Sequence, residues 1–438
     1  MSNIATPRRT EPRDLVPGVS DHIIATVIAS FLLTVTLVSF RPFTPEIEGS
    51  TATGGDIVNQ LGFGSLGALS IASMLCFADR RVVATLIGPG WLLLLAFFGL
   101  SVLNALDPSS ALRSASFTLI GLAIVCAILI VPRSADGFSA MLVVAGCTVL
   151  VLSYAGIALL PALAKHTDGY LAGLWRGVFS HKNIAGPVMA AFSFAGFYLY
   201  RRGWRWIGAA IFLASIGFML NTGSKTTAAL VPAAILAVAL PNMIGMRLVT
   251  PLLLALAVIG TALGTIGTAY IAPLAEFGTA YYEDPTFTGR TAIWQFGGEM
   301  LARRAWTGYG FESFWGTGYV LGEALPFDRE WDVRNIVHGH NGYLDIALTM
   351  GIPALAVFVL VCIVRPMVDY MRVPLTRENV YLADFFMMVL TFTSLNAFLE
   401  SFFFRRVDPV WFFFAFAVLG LRLTARFPIR AHDRADRL

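Results

Sequence analysis

Residues 138–163 read FSAMLVVAGCTVLVLSYAGIALLPAL, a run without one charged side chain. A bilayer core takes about 20 apolar residues of helix, and a soluble helix of that length keeps a polar face. The run is therefore read as a membrane span. Runs of similar length recur at about 20–40, 57–77, 82–106, 114–131, 184–200 and 204–221, and again at about 226–244, 248–271, 342–364, 379–400 and 408–425. Together they predict an all-α integral membrane protein of about twelve transmembrane helices.

Composition agrees. Hydrophobic residues make up 57% of the 438 and charged residues only 13%, with a mean hydropathy of +0.72. Soluble domains carry roughly 25% charged residues, so much of this surface is built to face lipid. The net charge of +4 comes from scattered arginines. No run of lysines interleaved with aromatics marks a nucleic-acid partner. Cys76, Cys126, Cys147 and Cys362 all fall in apolar stretches without CxxC spacing, and read as small core residues rather than metal ligands or disulfide partners. The polar start, with Arg8, Arg9 and Arg13, leads into an apolar run ending at Phe40-Arg41-Pro42. That run is longer than a signal peptide's apolar core and lacks its small-residue cleavage site, so it is read as an uncleaved first span.

Cytoplasmic loops retain Lys and Arg. With the N-terminus inside, that side collects Arg80-Arg81, Arg201-Arg202-Arg205, Arg365, Arg372, Arg377 and the Arg-rich C-terminus. Both termini are thus expected in the cytoplasm. The expected organisation is a tail over 1–19, nine helices over 20–271, a long outer loop over 272–341, three helices over 342–425 and a tail over 426–438.

Loops longer than about 15 residues in a compact fold are usually functional. Within this one, Ile293, Phe296, Met300 and Leu301 follow amphipathic-helix spacing. Trp294, Trp306, Trp315 and Trp331 suit a folded cap resting at the headgroup interface.

Positive charge on the outer face runs against topology and calls for a reason. Lys182, Lys225, Arg290, Arg303, Arg304, Arg334, Arg405 and Arg406 all stand there. Singly, each is explained by lipid-phosphate anchoring; collectively, they suit an anionic group such as a lipid pyrophosphate, which arginine grips with two donors at once. His338-Gly339-His340-Asn341 sits where the loop meets the next span. Two histidines around a glycine can ligate a metal, yet no third ligand stands beside them; a histidine there can also take a proton from a sugar hydroxyl. Asn341 and Asp345 share a helix face. Asp345 either orients a histidine, binds an acceptor or stabilises the helix start. Ser180-His181-Lys182-Asn183 and Gly223-Ser224-Lys225 each open a helix, as a cap or as a phosphate site. No ionisable residue stands near the middle of a predicted span, where ion-coupled transporters place theirs.

Thr288-Gly289-Arg290-Thr291-Ala292-Ile293-Trp294, Gly308-Tyr309-Gly310-Phe311, His338-Gly339-His340-Asn341-Gly342-Tyr343-Leu344-Asp345 and Gly351-Ile352-Pro353 together resemble the O-antigen ligase and polymerase family. The resemblance runs from about 170 to 365. Ser180-His181-Lys182-Asn183 and Gly223-Ser224-Lys225 look most like its bacterial exopolysaccharide polymerase branch. The resemblance implies an inner-membrane glycosyltransferase with a large periplasmic loop containing short helices. The implied donor is an undecaprenyl-pyrophosphate-linked glycan, and no cofactor or metal is implied. A polymerase passes the glycan to another lipid-linked repeat unit; a ligase passes it to lipid A–core. A chain-length regulator or export complex is a further implied partner.

By the same resemblance, His340 corresponds to the family's loop histidine, which activates the acceptor hydroxyl, and Arg290 to its loop arginine, which holds the donor pyrophosphate. Lys225 stands where many members have arginine, so it keeps the charge and loses the two-donor fork. The expected mechanism is a metal-independent, inverting transfer. His340 takes the proton, His338 or Asp345 orients it, and Arg290, Lys225 and Arg405 or Arg406 neutralise the leaving group. Lys182, Asn183, Asn341 and Asp345 complete the expected substrate contacts. A transporter of the same lipid-linked sugars is the non-enzyme alternative. It would more naturally show two similar halves around a central loop.

Overall fold

A computed structural model describes residues 19–44, 56–167, 169–323 and 332–431. Arg8, Arg9, Arg13 and Trp331 lie outside the described residues. Among the described residues the chain is helical, apart from one isolated bridge between Lys165 and Trp175.

The helices start where capping residues dictate. Asp56, Asp79, Asp107 and Ser134 cap α2 (Ile57–Phe77), α3 (Arg80–Leu86), α5 (Pro108–Ile130) and α6 (Ala135–Leu159) by accepting first-turn backbone N–H groups. Around them stand α1 (Val19–Val38) and α4 (Pro89–Leu103), and the short α7 (Pro161–Ala164) leads onward. Next come α8 (Lys182–Arg202), α9 (Arg205–Asn221), α10 (Lys225–Met243) and α11 (Val249–Gly264). The long loop carries α12 (Ala272–Tyr281), α13 (Arg290–Arg303) and α14 (Gly318–Leu321). The chain returns through α15 (Gly342–Met350), α16 (Ile352–Val359) and α17 (Arg365–Arg372), and finishes with α18 (Arg377–Asn396) and α19 (Pro409–Arg426).

Every predicted apolar run is helical, straight or broken, and the protein is an all-helical, multi-span membrane protein. Among the described residues, eight helical segments are long and apolar enough to cross a bilayer, or nine if α3 and α4, bent by 59°, count as one span. The expected twelve is therefore not reached on length and apolarity. The shortfall has a physical source. α9 is only 17 residues long. α8 and α18 lie inside the bundle, and α18 is buried without a break from Leu382 to Asn396, so their composition is not set by lipid.

Two devices hold the bundle. At one end Arg201 pairs with Asp384 at 2.6 Å, while Arg202 pairs with Asp136 at 2.8 Å and Glu378 at 2.7 Å, tying α8 to α18 and α6. Along α8 and α9, Gly196 and Gly208 face each other so closely that a Cβ on Gly196 would stand 2.6 Å from the Phe212 nitrogen. Between membrane helices such small-residue contact replaces the hydrophobic drive that lipid removes.

The loop packs on the bundle. Ile293, Phe296 and Met300 are buried as their spacing predicted, and Gly297 on the same helix rests against Leu344 of α15. The interfacial reading of the tryptophans is corrected for Trp294, which is fully buried; Trp306 is exposed and Trp315 half-buried. The break between α15 and α16 is where the loop is stitched in. Tyr309 and Gly310 donate backbone hydrogen bonds to Leu348 and Thr349, and Ile352 donates to Ala305. Gly351, at φ +88°, lets the carbonyl of Trp306 approach closer than any Cβ would permit.

Gly196→Leu is expected to destabilise the full-length protein in detergent by about 1–3 kcal/mol, the usual range for overpacking. The check is thermal unfolding beside Gly99→Leu, where no neighbouring atom lies within 4 Å of the added Cβ. Equal melting temperatures would show that the α8–α9 contact does not limit stability.

Candidate functional site

The segment before α13 is shaped by one carboxylate. Asp284 accepts from the Thr286 and Thr288 backbone N–H groups at 3.0 and 2.6 Å and from the Thr286 hydroxyl at 2.6 Å. The Thr286 hydroxyl, ahead of these amides, holds the Asp284 carboxyl below its ordinary value. The turn it stabilises passes through three positive φ angles, at Phe287, Thr288 and Gly289. It delivers Arg290 as the first residue of α13.

Arg290 points at Glu400, in the stretch that follows α18. Its guanidinium donates to Glu400 Oε1 at 3.0 Å, and the Asn183 amide donates to the same oxygen at 3.2 Å. His340 Nδ1 faces Oε2 at 3.7 Å, just beyond hydrogen-bond length. Lys182 lies within electrostatic reach of both Glu400 and Arg290. Arg290, Glu400 and His340 are only 20–27% exposed at their side chains. Four residues distant in sequence thus converge on one carboxylate.

Glu400 was missed as a site residue in the sequence. Its signal is a lone acid between Phe398-Leu399 and Ser401-Phe402-Phe403-Phe404, where a charge at a span end needs a partner.

The histidines are held by the backbone. The His340 N–H donates to His338 Nδ1 at 3.3 Å, and the two rings lie 4.1 Å apart. Asn341 caps α15 by accepting from Tyr343 and Leu344. Its amide also donates to the Phe398 carbonyl, and the whole residue is buried. It caps α15 and presents no exposed surface. Asp345 accepts from the Trp315 indole at 2.8 Å and from the Gly339 N–H at 3.1 Å. His181 caps α8 by accepting from Asn183.

A cavity of about 1180 Å³ adjoins this cluster. His338, Asp345, Arg405 and Arg406 line it, with Arg113 and Trp315. His340, Arg290 and Glu400 do not, so the two histidines, ring edge to ring face, stand between a roomy chamber and a charged recess.

Not every expected cation joins. Lys225 opens α10 as predicted but is exposed and lines neither region. Arg303 pairs with Glu323. Arg304 lies over the Tyr309 and Tyr319 rings. Arg334 does line the cavity, but it forks onto Asp332 at 2.8 and 2.7 Å and holds that carboxyl down to about 2. Among the described residues no three His, Cys, Asp or Glu side chains gather closely enough to hold a metal ion.

Fold and site together define a multi-pass membrane protein whose polar chemistry is gathered beneath one folded loop. Residues 183–359 match the family model for O-antigen ligase. The resemblance seen in the motifs is borne out. The chain is also similar to the exopolysaccharide production protein ExoQ of Rhizobium meliloti (strain 1021), at 28% identity over 200 residues. That alignment covers 43% of this chain and 45% of the relative, so less than half of that protein's length is matched. The family segment contains Asn183, Arg290, His338 and His340; Lys182, Glu400, Arg405 and Arg406 lie outside it.

Burial pushes the His338 imidazole well below its ordinary value, and the neighbouring His340, Arg405 and Arg290 push in the same direction. His338 is therefore neutral at pH 7. The unfolded chain takes up this proton near pH 6.5 and the folded chain only further down, so stability falls as pH drops below about 6.5. Melting curves of the full-length protein in detergent are expected to lose more between pH 7 and pH 5.5 than those of His338→Asn. Parallel losses in the two proteins would show that His338 carries none of the acid sensitivity.

Proposed function

We propose that the protein is a glycosyltransferase that polymerises exopolysaccharide repeat units from an undecaprenyl-pyrophosphate-linked donor. The observation that carries this reading is the convergence of His340, Arg290, Asn183 and Lys182 on Glu400. It sets a histidine base beside its own carboxylate and next to cations suited to a pyrophosphate. The relative's name, exopolysaccharide production protein, favours polymerisation over ligation.

In this mechanism neutral His340 carries its proton on Nδ1, turned toward Glu400, and leaves Nε2 open to the acceptor hydroxyl. A small rotation closes the 3.7 Å gap to a hydrogen bond; such contacts are often loose before substrate arrives. The acceptor oxygen bonds to the anomeric carbon from the face opposite the pyrophosphate. The anomeric C–O bond breaks, its electron pair leaves with undecaprenyl pyrophosphate, and the hydroxyl proton passes to His340 Nε2. Glu400 then stabilises the imidazolium. Arg290 spends one of its five donors on Glu400 and has others for the departing phosphates. Lys182 adds charge beside it. The cavity beyond His338 has the volume for several sugar units, since pockets for small ligands run to about 1,000 Å³. Arg405, Arg406 and Arg113 give it polar walls.

The same reading places the loop in the periplasm and both termini in the cytoplasm, with the interior helices α8 and α18 and the short α9 completing twelve crossings. Arg202, Arg377 and Arg430 meet at the end of the bundle away from the loop, as a cytoplasmic end requires.

Purified protein given a synthetic undecaprenyl-pyrophosphate repeat unit is expected to build a ladder of longer lipid-linked glycans. His340→Ala should slow it about 10²–10⁴-fold, the range for lost general base catalysis. Arg290→Ala should cost about 10²–10³-fold through lost charge stabilisation. An undiminished ladder from Arg290→Ala would remove that residue from the mechanism. Transfer only when lipid A–core is supplied would make the protein a ligase, and silence in both assays would return the transporter reading. For topology, an impermeant thiol reagent on spheroplasts is expected to label Tyr281→Cys and spare Leu375→Cys, both exposed positions. The reverse pattern would invert the orientation.

A further inference from the structure

We propose that Asp345 is a positioning residue whose carboxylate joins the Gly339 peptide to the chain at Ser401, and so sets how His340 faces Glu400. The inference rests on the reading of His340 as the acceptor base and says what holds that base in place.

The carboxylate is fully engaged by protein donors. Oδ1 accepts from the Trp315 indole at 2.8 Å, and both oxygens stand 3.1 Å from the Gly339 N–H. The Ser401 hydroxyl also hydrogen-bonds to Asp345, and its oxygen accepts the Asn341 N–H at 3.0 Å. A carboxylate offers about four lone-pair sites. Three different protein groups occupy them, which leaves little for a sugar, although Asp345 borders the cavity.

Its two anchors are the residues beside the two reactive groups. Gly339 precedes His340, and Ser401 follows Glu400. The Gly339 peptide is gripped from its other side as well, because the Trp294 indole donates to its carbonyl at 3.0 Å. A Cβ at Gly339 would fall 2.6 Å from Asp345 Oδ1, so glycine is what lets the carboxylate come this near. His340 itself sits at φ +47°, a conformation that costs a side-chain-bearing residue energy and persists only where surrounding bonds enforce it. The clamp on the preceding peptide is that enforcement. Asp345 is a rigid base for it, being in the first turn of α15, which Asn341 caps.

The test uses the full-length protein in lipid nanodiscs with ¹⁵N-labelled histidine, the His340 signals being identified with His340→Gln. Asp345→Asn keeps one acceptor oxygen and loses the charge; Trp315→Phe removes one donor without touching the charge. Both variants are expected to move the His340 resonances while the melting temperature stays near wild type. Turnover is read on undecaprenyl-pyrophosphate-linked repeat units extracted from producing cells. Asp345→Asn is expected to lower kcat about 10–100-fold, the scale of a misplacement near 1 Å, with KM within about twofold and a displaced pH–rate profile. A raised KM with kcat held would make Asp345 a substrate contact and overturn the proposal. Unmoved His340 resonances in both variants would overturn it too. Should His340→Gln prove fully active while Asp345→Asn still moves the resonances, the base reading falls and the positioning inference stands.

Discussion

One carboxylate, Glu400, lets the cations at the loop end of this bundle stand together. Lys182 and Arg290 repel each other in a half-buried recess, where the effective dielectric is well below that of water. Glu400 offsets that repulsion and orients Arg290 and Asn183 through one oxygen while the other faces His340. Without it the recess would hold a cluster of like charges, and His340 would lose the carboxylate it faces. With it the recess keeps an excess of positive charge, which under the proposed function suits a pyrophosphate.

The carboxylate works only because two chain segments far apart in sequence are held in register. His340 arrives on the loop, Glu400 on the stretch after α18. Their alignment depends on backbone geometry more than on side-chain contact. Gly308 and Gly351 let the loop lie directly on the broken helix α15–α16, and Gly310 lets it approach Asn104 and Ala105 at the end of α4. The Gly342 N–H donates to the Ala397 and Glu400 carbonyls, joining the start of α15 to the stretch that carries Glu400. The apolar core of the loop, around Trp294, Phe296 and Phe314, then packs on Leu344 and Leu348. Loop and bundle form one framework, and the site lies at their seam.

Much of this was legible in the sequence, and the parts that were not share a cause. The apolar runs gave the helices because lipid imposes a minimum length on each span. Ile293, Phe296 and Met300 gave the amphipathic helix, and His181 and Lys225 fell at helix starts as their motifs suggested. Periodicity does not name a partner, however. Trp294 reads like an interfacial tryptophan and is a buried clamp on Gly339. Arg334 reads like a phosphate ligand and is spent on Asp332. Glu400 lies 110 residues from Arg290 and 217 from Asn183, separations over which a sequence shows no pairing. The number of spans was blurred for a related reason, since helices inside a bundle escape the composition that lipid enforces.

The central claim is that Glu400 and His340 act as one unit. A double-mutant cycle on the rate of glycan elongation addresses it directly, comparing Glu400→Gln, His340→Ala and the pair. Residues that serve a single step lose their effects non-additively. The account therefore predicts that the double variant is no slower than His340→Ala alone, within about twofold. Losses that multiply would show that Glu400 and His340 contribute independently and would contradict it.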